Sequence, residues 1–328
     1  MSDRDDKGNG TDEVTPDNPQ FDDLIVARNT ITKAQEREIR KLYNQWAREI
    51  REMEKSLPNT PYNESQRRQL VEMYYQLRSA SIQLTTEINS SVNTNVEWMG
   101  RTVQRVNVRW LETVGLTPES LNRKFSISTD TAIRNILTGR LYGDNVKISD
   151  RVWNITNGNL KDMNTIIAKG LAQNKSLNDI AKELQKYLNP DANNGWKIIK
   201  VTNPNGTVSV YRINNGKVDY KAQRLARTSI QHAYQQTLVA LTKDNPFVNG
   251  YIWHADGGHP CELCLDRNGE HYTAESVPLD HPNGQCSLEP ALDYRLIENS
   301  IEDGRLSWEA YDRMLDFFGD LDFRVDAG

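Results

Sequence analysis

The chain has 328 residues and a mass of 37.6 kDa, room for about two domains at the usual ~150 residues each. Only 37% of the residues are apolar, 26% are charged and the mean hydropathy is -0.72, which implies a lean core and broad polar surfaces. A net charge of -5 and a pI near 5.7 speak against a uniformly basic nucleic-acid-binding domain, no apolar run reaches the ~18 residues of a membrane helix, and three cysteines are too few for a disulfide framework.

The charge is unevenly spread. Residues 1–24 hold eight acids and two bases, and residues 301–328 hold eight acids and three bases, so residues 25–300 carry +6. Residues 1–24 contain almost nothing apolar, and are expected to form a disordered acidic tail. They offer no apolar stretch of the kind a signal peptide needs, so the chain is expected to stay in the compartment where it is made.

From Thr32 the pattern becomes helical. Thr32 and Gln35 form a capping-box pair, and Ile39, Tyr43, Trp46, Ile50, Met53 and Leu57 follow at helical steps up to Pro58. Asn63 and Gln66 offer a second capping pair, after which Leu70, Met73, Leu77, Leu84, Ile88 and Val96 keep one face apolar as far as Trp110. Ser90, Ser91 and Gly100 weaken its middle, so one kinked helix or two stacked ones are both compatible with the pattern. Residues 25–125 thus read as a long helical hairpin for docking or oligomerisation, because a narrow stripe needs something to cover it.

Shorter helices follow over 125–190, one of them opened by a Ser176/Asp179 capping box and closed at Asn189-Pro190. A β-hairpin is expected over 196–213, turning at Asn203-Pro204-Asn205-Gly206. A helix over 219–243 carries Arg224, Arg227, Thr228 and His232 close to one side, and Tyr251-Ile252-Trp253 is a short strand candidate. An acidic helical tail is expected over 291–328.

The chemistry concentrates in one window. Cys261, Cys264 and Cys286 and four of the five histidines, His254, His259, His271 and His281, all fall between 254 and 286. A Cys-x2-Cys knuckle, sixteen residues and then His281-x4-Cys286 supply three sulfurs and one imidazole, the four-coordinate set of structural zinc. A closed set of Cys261, Cys264, His281 and Cys286 leaves no place for a reactive water, so such a metal would stabilise the fold. His259 is the substitute ligand, and buried thiols beside a hydrogen-bonded histidine are the metal-free alternative. Asp280-His281 beside the knuckle also suits a zinc-dependent nuclease or toxin-like effector, although no histidine follows His281 to complete such a site.

The run from Tyr251 to Pro290, with its apolar-Trp start, Cys-x2-Cys, Asn-Gly turn and His-Pro followed by cysteine, resembles the signature of the MuF-like minor head proteins of tailed bacteriophages, the head-morphogenesis family. Ile166–Ala181 is similar to that family's helix-Gly-helix segment, and Ala222-Gln-Arg-Leu-Ala-Arg-Thr228 to its Ala-x-Arg-x-Ala-Arg-Thr helix. The family pattern reads His-Pro-x-Cys-x-Cys, and here Gly284 stands in place of one cysteine.

The resemblance implies a minor capsid protein of the virion, made in the host cytoplasm, assembled into the procapsid and associated with the portal vertex. It implies no catalytic residues, no small-molecule substrate and no membrane. The implied partners are the portal protein, the scaffold and the major capsid protein, with packaged DNA as a further contact; a DNA-binding ejection protein is the other alternative. The expected fold is α+β and predominantly α. In it the long N-terminal helical hairpin precedes a MuF-like domain over 126–290, α-rich, with the β-hairpin and a Cys/His loop module at 253–290.

Overall fold

The computed structural model describes residues 19–113, 119–191, 196–202, 208–214, 217–243, 245, 247–255, 260–304 and 306–310. The fold is α+β and mostly α. Among the described residues no helix is long and apolar enough to cross a membrane.

Helix α1 spans Pro19–Glu54, α2 Arg67–Thr113, α3 Glu119–Leu137, α4 Ile148–Ala172 and α5 Leu177–Leu188. Strands β1 (Trp196–Thr202) and β2 (Val208–Asn214) precede α6 (Tyr220–Thr242), β3 (Val248–His254) and α7 (Glu262–Arg267). Strands β4 (His271–Tyr272) and β5 (Ser287–Leu292) and helix α8 (Tyr294–Glu302) complete the order.

The expected start of the first helix is corrected. Thr32 and Gln35 do not open α1, which already runs from Pro19, so residues 19–24 are helical rather than part of a tail. Leu24, Arg28, Ile31, Gln35 and Ile39 are all buried at steps of three and four, so the inward stripe continues through the supposed cap. Proline is tolerated in a first helical turn, where its missing N–H has no partner to lose. Asn63 and Gln66 do form a capping box, with the Asn63 Oδ1 accepting from Ser65 N at 3.0 Å and the Gln66 Oε1 accepting from Asn63 N at 3.2 Å. Helix α2 is continuous, and its small residues mark where other helices come close. Ser91 Oγ donates to Glu38 Oε2 at 2.5 Å, and a Cβ at Gly100 would lie 2.9 Å from the Ile133 side chain.

The chain divides into two compact units, whose boundaries fall inside α1, α2, α3 and α6. One comprises residues 30–97 and 134–230. There α1 and α2 run antiparallel, with Leu42 and Trp46 lining a shallow groove with Ala80 and Leu84. The buried Tyr43 hydroxyl accepts from Asn159 Nδ2 of α4 at 2.9 Å. Ser176 caps α5 by accepting from Asp179 N at 3.0 Å, and Gly170 lets α4 meet α5, since a Cβ there would lie 2.5 Å from Ile180 Cγ1. Strands β1 and β2 form the hairpin in antiparallel register from Trp196↔Asn214 to Thr202↔Val208, and its turn lies outside the described residues.

The other unit comprises residues 1–29, 98–133 and 231–328. It holds an antiparallel sheet ordered β4-β3-β5, with Trp253 and Tyr251 of β3 fully buried. Burying aromatic side chains of this kind contributes about 1.5–3 kcal/mol each. The segment from 291 is more than a tail. Asp293 N donates to Phe247 O at 2.8 Å, Asp293 Oδ1 caps α8 through Leu296 N at 3.1 Å, and Ile297 is fully buried. Residues 311–328 lie outside the described residues.

Candidate metal centre

Sequence spacing places Cys261 immediately before α7, where its carbonyl accepts from Cys264 N at 2.9 Å and Leu265 N at 3.0 Å. That tight turn sets the two sulfurs 3.5 Å apart. His281, carried by the loop between β4 and β5, brings its Nε2 to 3.3 Å from Cys261 Sγ and 3.1 Å from Cys264 Sγ. Its other nitrogen is already used: Nδ1–H donates to Pro282 O at 3.1 Å, which leaves the Nε2 lone pair facing the sulfurs.

Cys286 enters the cluster from the start of β5. Its sulfur, that of Cys264 and a carboxylate oxygen of Asp280 lie within 4.8 Å of one another, as do the ligand atoms of Cys261, Cys264 and His281. Cys264 belongs to both triads, so the four residues singled out by spacing meet around its sulfur.

The ligand atoms of Cys261, Cys264 and His281 fit a metal ion. In a tetrahedral site with metal–sulfur bonds of about 2.3 Å, neighbouring ligand atoms lie roughly 3.7 Å apart. The observed separations of 3.1–3.5 Å are slightly closer, as expected of thiols that hydrogen-bond to one another. Cys264 and Cys286 are buried, and burial pushes both thiols up from their ordinary range. Metal binding there must therefore displace protons from buried sulfur, and the ion's own charge is what makes thiolates stable in such a place.

Asp280, singled out in the sequence only for the nuclease alternative, has a supporting place here. It is buried, and its carboxylate holds the loop that carries His281 and Cys286. Oδ1 accepts from His281 N at 2.8 Å, and Oδ2 accepts from Cys286 N at 3.1 Å and Gln231 Nε2 at 3.0 Å. The Asp280 backbone is gripped by α6: its carbonyl lies 2.9 Å from His232 Nε2, and its N–H donates to Gln235 Oε1 at 3.1 Å. Burial pushes the Asp280 carboxyl up from its ordinary range, opposed by His281 and by the backbone donors.

A buried arginine completes this support. Arg28 of α1 donates Nη1 to Gln231 Oε1 at 3.0 Å and to Cys286 O at 3.1 Å, and its guanidinium lies 5.4 Å from the centre of the Tyr234 ring. Gln231 thus links a buried cation to a buried carboxylate.

Two of the remaining histidines of the window are employed elsewhere. His254 pairs with Glu289 at 2.8 Å, His271 lies 3.3 Å from Asn249 Oδ1, and His259, the substitute ligand, is outside the described residues. The polar side of α6 is shared among separate tasks, since Arg227 pairs with Glu36 whereas His232 holds Asp280.

Gly284 is explained by the same carboxylate. A Cβ there would lie 2.0 Å from Asp280 Oδ1 and 2.1 Å from its Cγ, so this position cannot carry a side chain while Asp280 keeps its place. Compared with known protein families, curated proteins and solved structures, the chain matches none. What the site can do therefore follows from its own geometry: two sets that share Cys264, one of Cys261, Cys264 and His281 and one of Cys264, Asp280 and Cys286, each of which could hold a metal ion.

Proposed function

We propose that this chain is a structural component of tailed-phage heads of the MuF-like type, acting through protein contacts, and that zinc held by Cys261, Cys264, His281 and Cys286 staples its C-terminal module. The observation that carries the zinc reading is His281: its Nε2 faces two sulfurs, at 3.1 and 3.3 Å, while Nδ1 is held by Pro282 O. A nuclease histidine must face a water or an open metal position, and the free nitrogen of this one faces two sulfurs, which favours a structural ion over a catalytic one. When bound, zinc would cross-link the α7 turn to the β4–β5 loop.

The docking role rests on the resemblance carried by Tyr251–Pro290 and on α2. Val71, Tyr75 and Ile82 are 43%, 69% and 61% exposed at spacings of four and seven, a single apolar stripe on the outer face of that helix. The portal protein, the scaffold and the major capsid protein are the proposed partners.

Two measurements test these readings separately. Elemental analysis of the purified chain is expected to find about one zinc per molecule, with Cys261→Ser losing the metal and unfolding at a lower temperature; a metal-free protein indifferent to that substitution refutes the zinc. Co-expression with the portal, scaffold and capsid proteins of a tailed phage is expected to place the chain in sedimenting procapsids, and procapsids from which it is absent refute the head role.

A further inference from the structure

The three thiols of the cluster are all free, and they are not equivalent. Cys261 is exposed, whereas Cys264 and Cys286 are only 2% and 1% exposed. A dissolved oxidant therefore meets the sulfur of Cys261 first.

Cys261 and Cys264 are already placed to join. The Cys264 N–H donates to the Cys261 carbonyl at 2.9 Å, and a turn closed by such a bond keeps its first and last Cα within about 7 Å. Disulfides span Cα separations of about 4.4–6.8 Å. The two sulfurs lie 3.5 Å apart and share a thiol hydrogen bond, so bonding asks them to approach by about 1.5 Å. A rotation of the exposed Cys261 side chain can supply that approach.

Cys286 is the thiol least able to move. Its N–H donates to Asp280 Oδ2 at 3.1 Å, and its carbonyl accepts from Arg28 Nη1 at 3.1 Å and from Gln231 Nε2. The next residue, Ser287, is paired with His254 of β3. Nor does the loop carrying His281 and Cys286 depend on the other two sulfurs for its position. The Asp280 backbone ties it to α6 through His232 at 2.9 Å and Gln235 at 3.1 Å, contacts that are untouched by any bond between Cys261 and Cys264.

We propose that Cys261 and Cys264 form a redox-active dithiol, in which hydrogen peroxide oxidises Cys261 and Cys264 then closes a disulfide with it. In the first step the Cys261 sulfur attacks a peroxide oxygen. An S–O bond forms, the O–O bond breaks, and the departing hydroxide takes the thiol proton and leaves as water. In the second step the Cys264 sulfur attacks the sulfenic sulfur. The S–S bond forms, the S–O bond breaks, and the Cys264 proton leaves with the hydroxide as a second water. Two thiols thus give up two electrons and two protons, and one peroxide is reduced to two waters. A thiol reductant reverses the change by exchange.

The dithiol rests on sulfur geometry and exposure and not on the zinc reading. Zinc enters only as a competitor, because Cys261 and Cys264 are two of the ligands proposed for it above. Bound metal would occupy both sulfurs and slow their oxidation, and the disulfide would leave the ion only two donors and so release it.

The test is a tryptic map of the full chain, stripped of metal with a chelator, reduced, exposed to hydrogen peroxide and alkylated before digestion without reductant. Cys261 and Cys264 share the peptide 244–267, whereas Cys286 falls in 268–295, so the two linkages differ in mass. The 244–267 peptide should lose two hydrogen masses and regain them with dithiothreitol, while Cys286 reacts about tenfold more slowly. Urea should abolish that ranking, since the fold creates it, and circular dichroism should show the oxidised chain still folded. In Cys264→Ser, dimedone should trap the sulfenic acid on Cys261, and Cys286→Ser should close the disulfide within about twofold of the parental rate. Unoxidised thiols in the 244–267 peptide, a Cys264–Cys286 cross-link in its place, or dimedone on Cys286 instead of Cys261 overturns the proposal. Repeating the oxidation with equimolar zinc separates the two readings. Slower closure, with zinc passing to a chromogenic chelator, supports both; an unchanged rate removes the zinc ligand set and leaves the dithiol standing.

Discussion

Replacing Gly284 by alanine tests the account of the Cys/His loop most directly. The added Cβ would lie 2.0 Å from Asp280 Oδ1 and 2.1 Å from Oδ2, so the carboxylate must move. Both of its oxygens are committed, to His281 N, Cys286 N and Gln231 Nε2, and no movement away from residue 284 can keep all three bonds. Leaving a buried polar group unpaired costs about 1–3 kcal/mol, so losing two of the three predicts roughly 2–6 kcal/mol. Gly269→Ala is the comparison: it has φ +79° but no atom within 4 Å, so it carries only the backbone penalty of about 1 kcal/mol. Urea unfolding followed by far-ultraviolet circular dichroism measures both variants. The reasoning is refuted if Gly284→Ala is no more destabilising than Gly269→Ala.

Two further outcomes concern the unit of residues 30–97 and 134–230. Asp219 is buried, and burial raises its pKa above the ordinary 3.8 against the opposing pull of Arg40. The folded chain then holds this proton more tightly than the unfolded one, so its contribution to stability is lost as pH rises from about 4 through the raised value. Thermal unfolding of Asp219→Asn should therefore gain on the parent as pH increases over that window, and a pH-independent difference counts against it. Gly170→Ala should destabilise by about 1–3 kcal/mol through overpacking against Ile180, and Ile180→Ala should cancel part of that cost in the double variant, a coupling that chemical denaturation of the four proteins would reveal.

What could be read from the sequence was what depends on local spacing. The α5 cap at Ser176, the box at Asn63 and Gln66, the β1–β2 hairpin and the Cys-x2-Cys turn are each specified by residues within a few positions of one another. The start of α1 was misread for the same reason. Thr32 and Gln35 have capping spacing, yet Gln35 is only 1% exposed because the helix is positioned by what it packs against. The supports of the Cys/His cluster were hidden altogether, since Arg28 reaches Cys286 across 258 positions and Gln231 reaches Asp280 across 49. A buried arginine has no signature in a single sequence, because its partners are supplied only by the fold.

The same distinction resolves the glycine at 284. Set against a His-Pro-x-Cys-x-Cys pattern, it looks like a ligand removed, which would leave a metal site weakened. In the folded chain the direction from its Cα is filled by the Asp280 carboxylate, at 2.0 Å from where a Cβ would be. That carboxylate fixes the backbone of His281 and of Cys286, two of the four residues that meet at the sulfur cluster. A cysteine at 284 would therefore displace the group that holds His281 and Cys286 in place. The chain keeps four donors without it, and Gly284 serves those donors indirectly, through the space it leaves for Asp280.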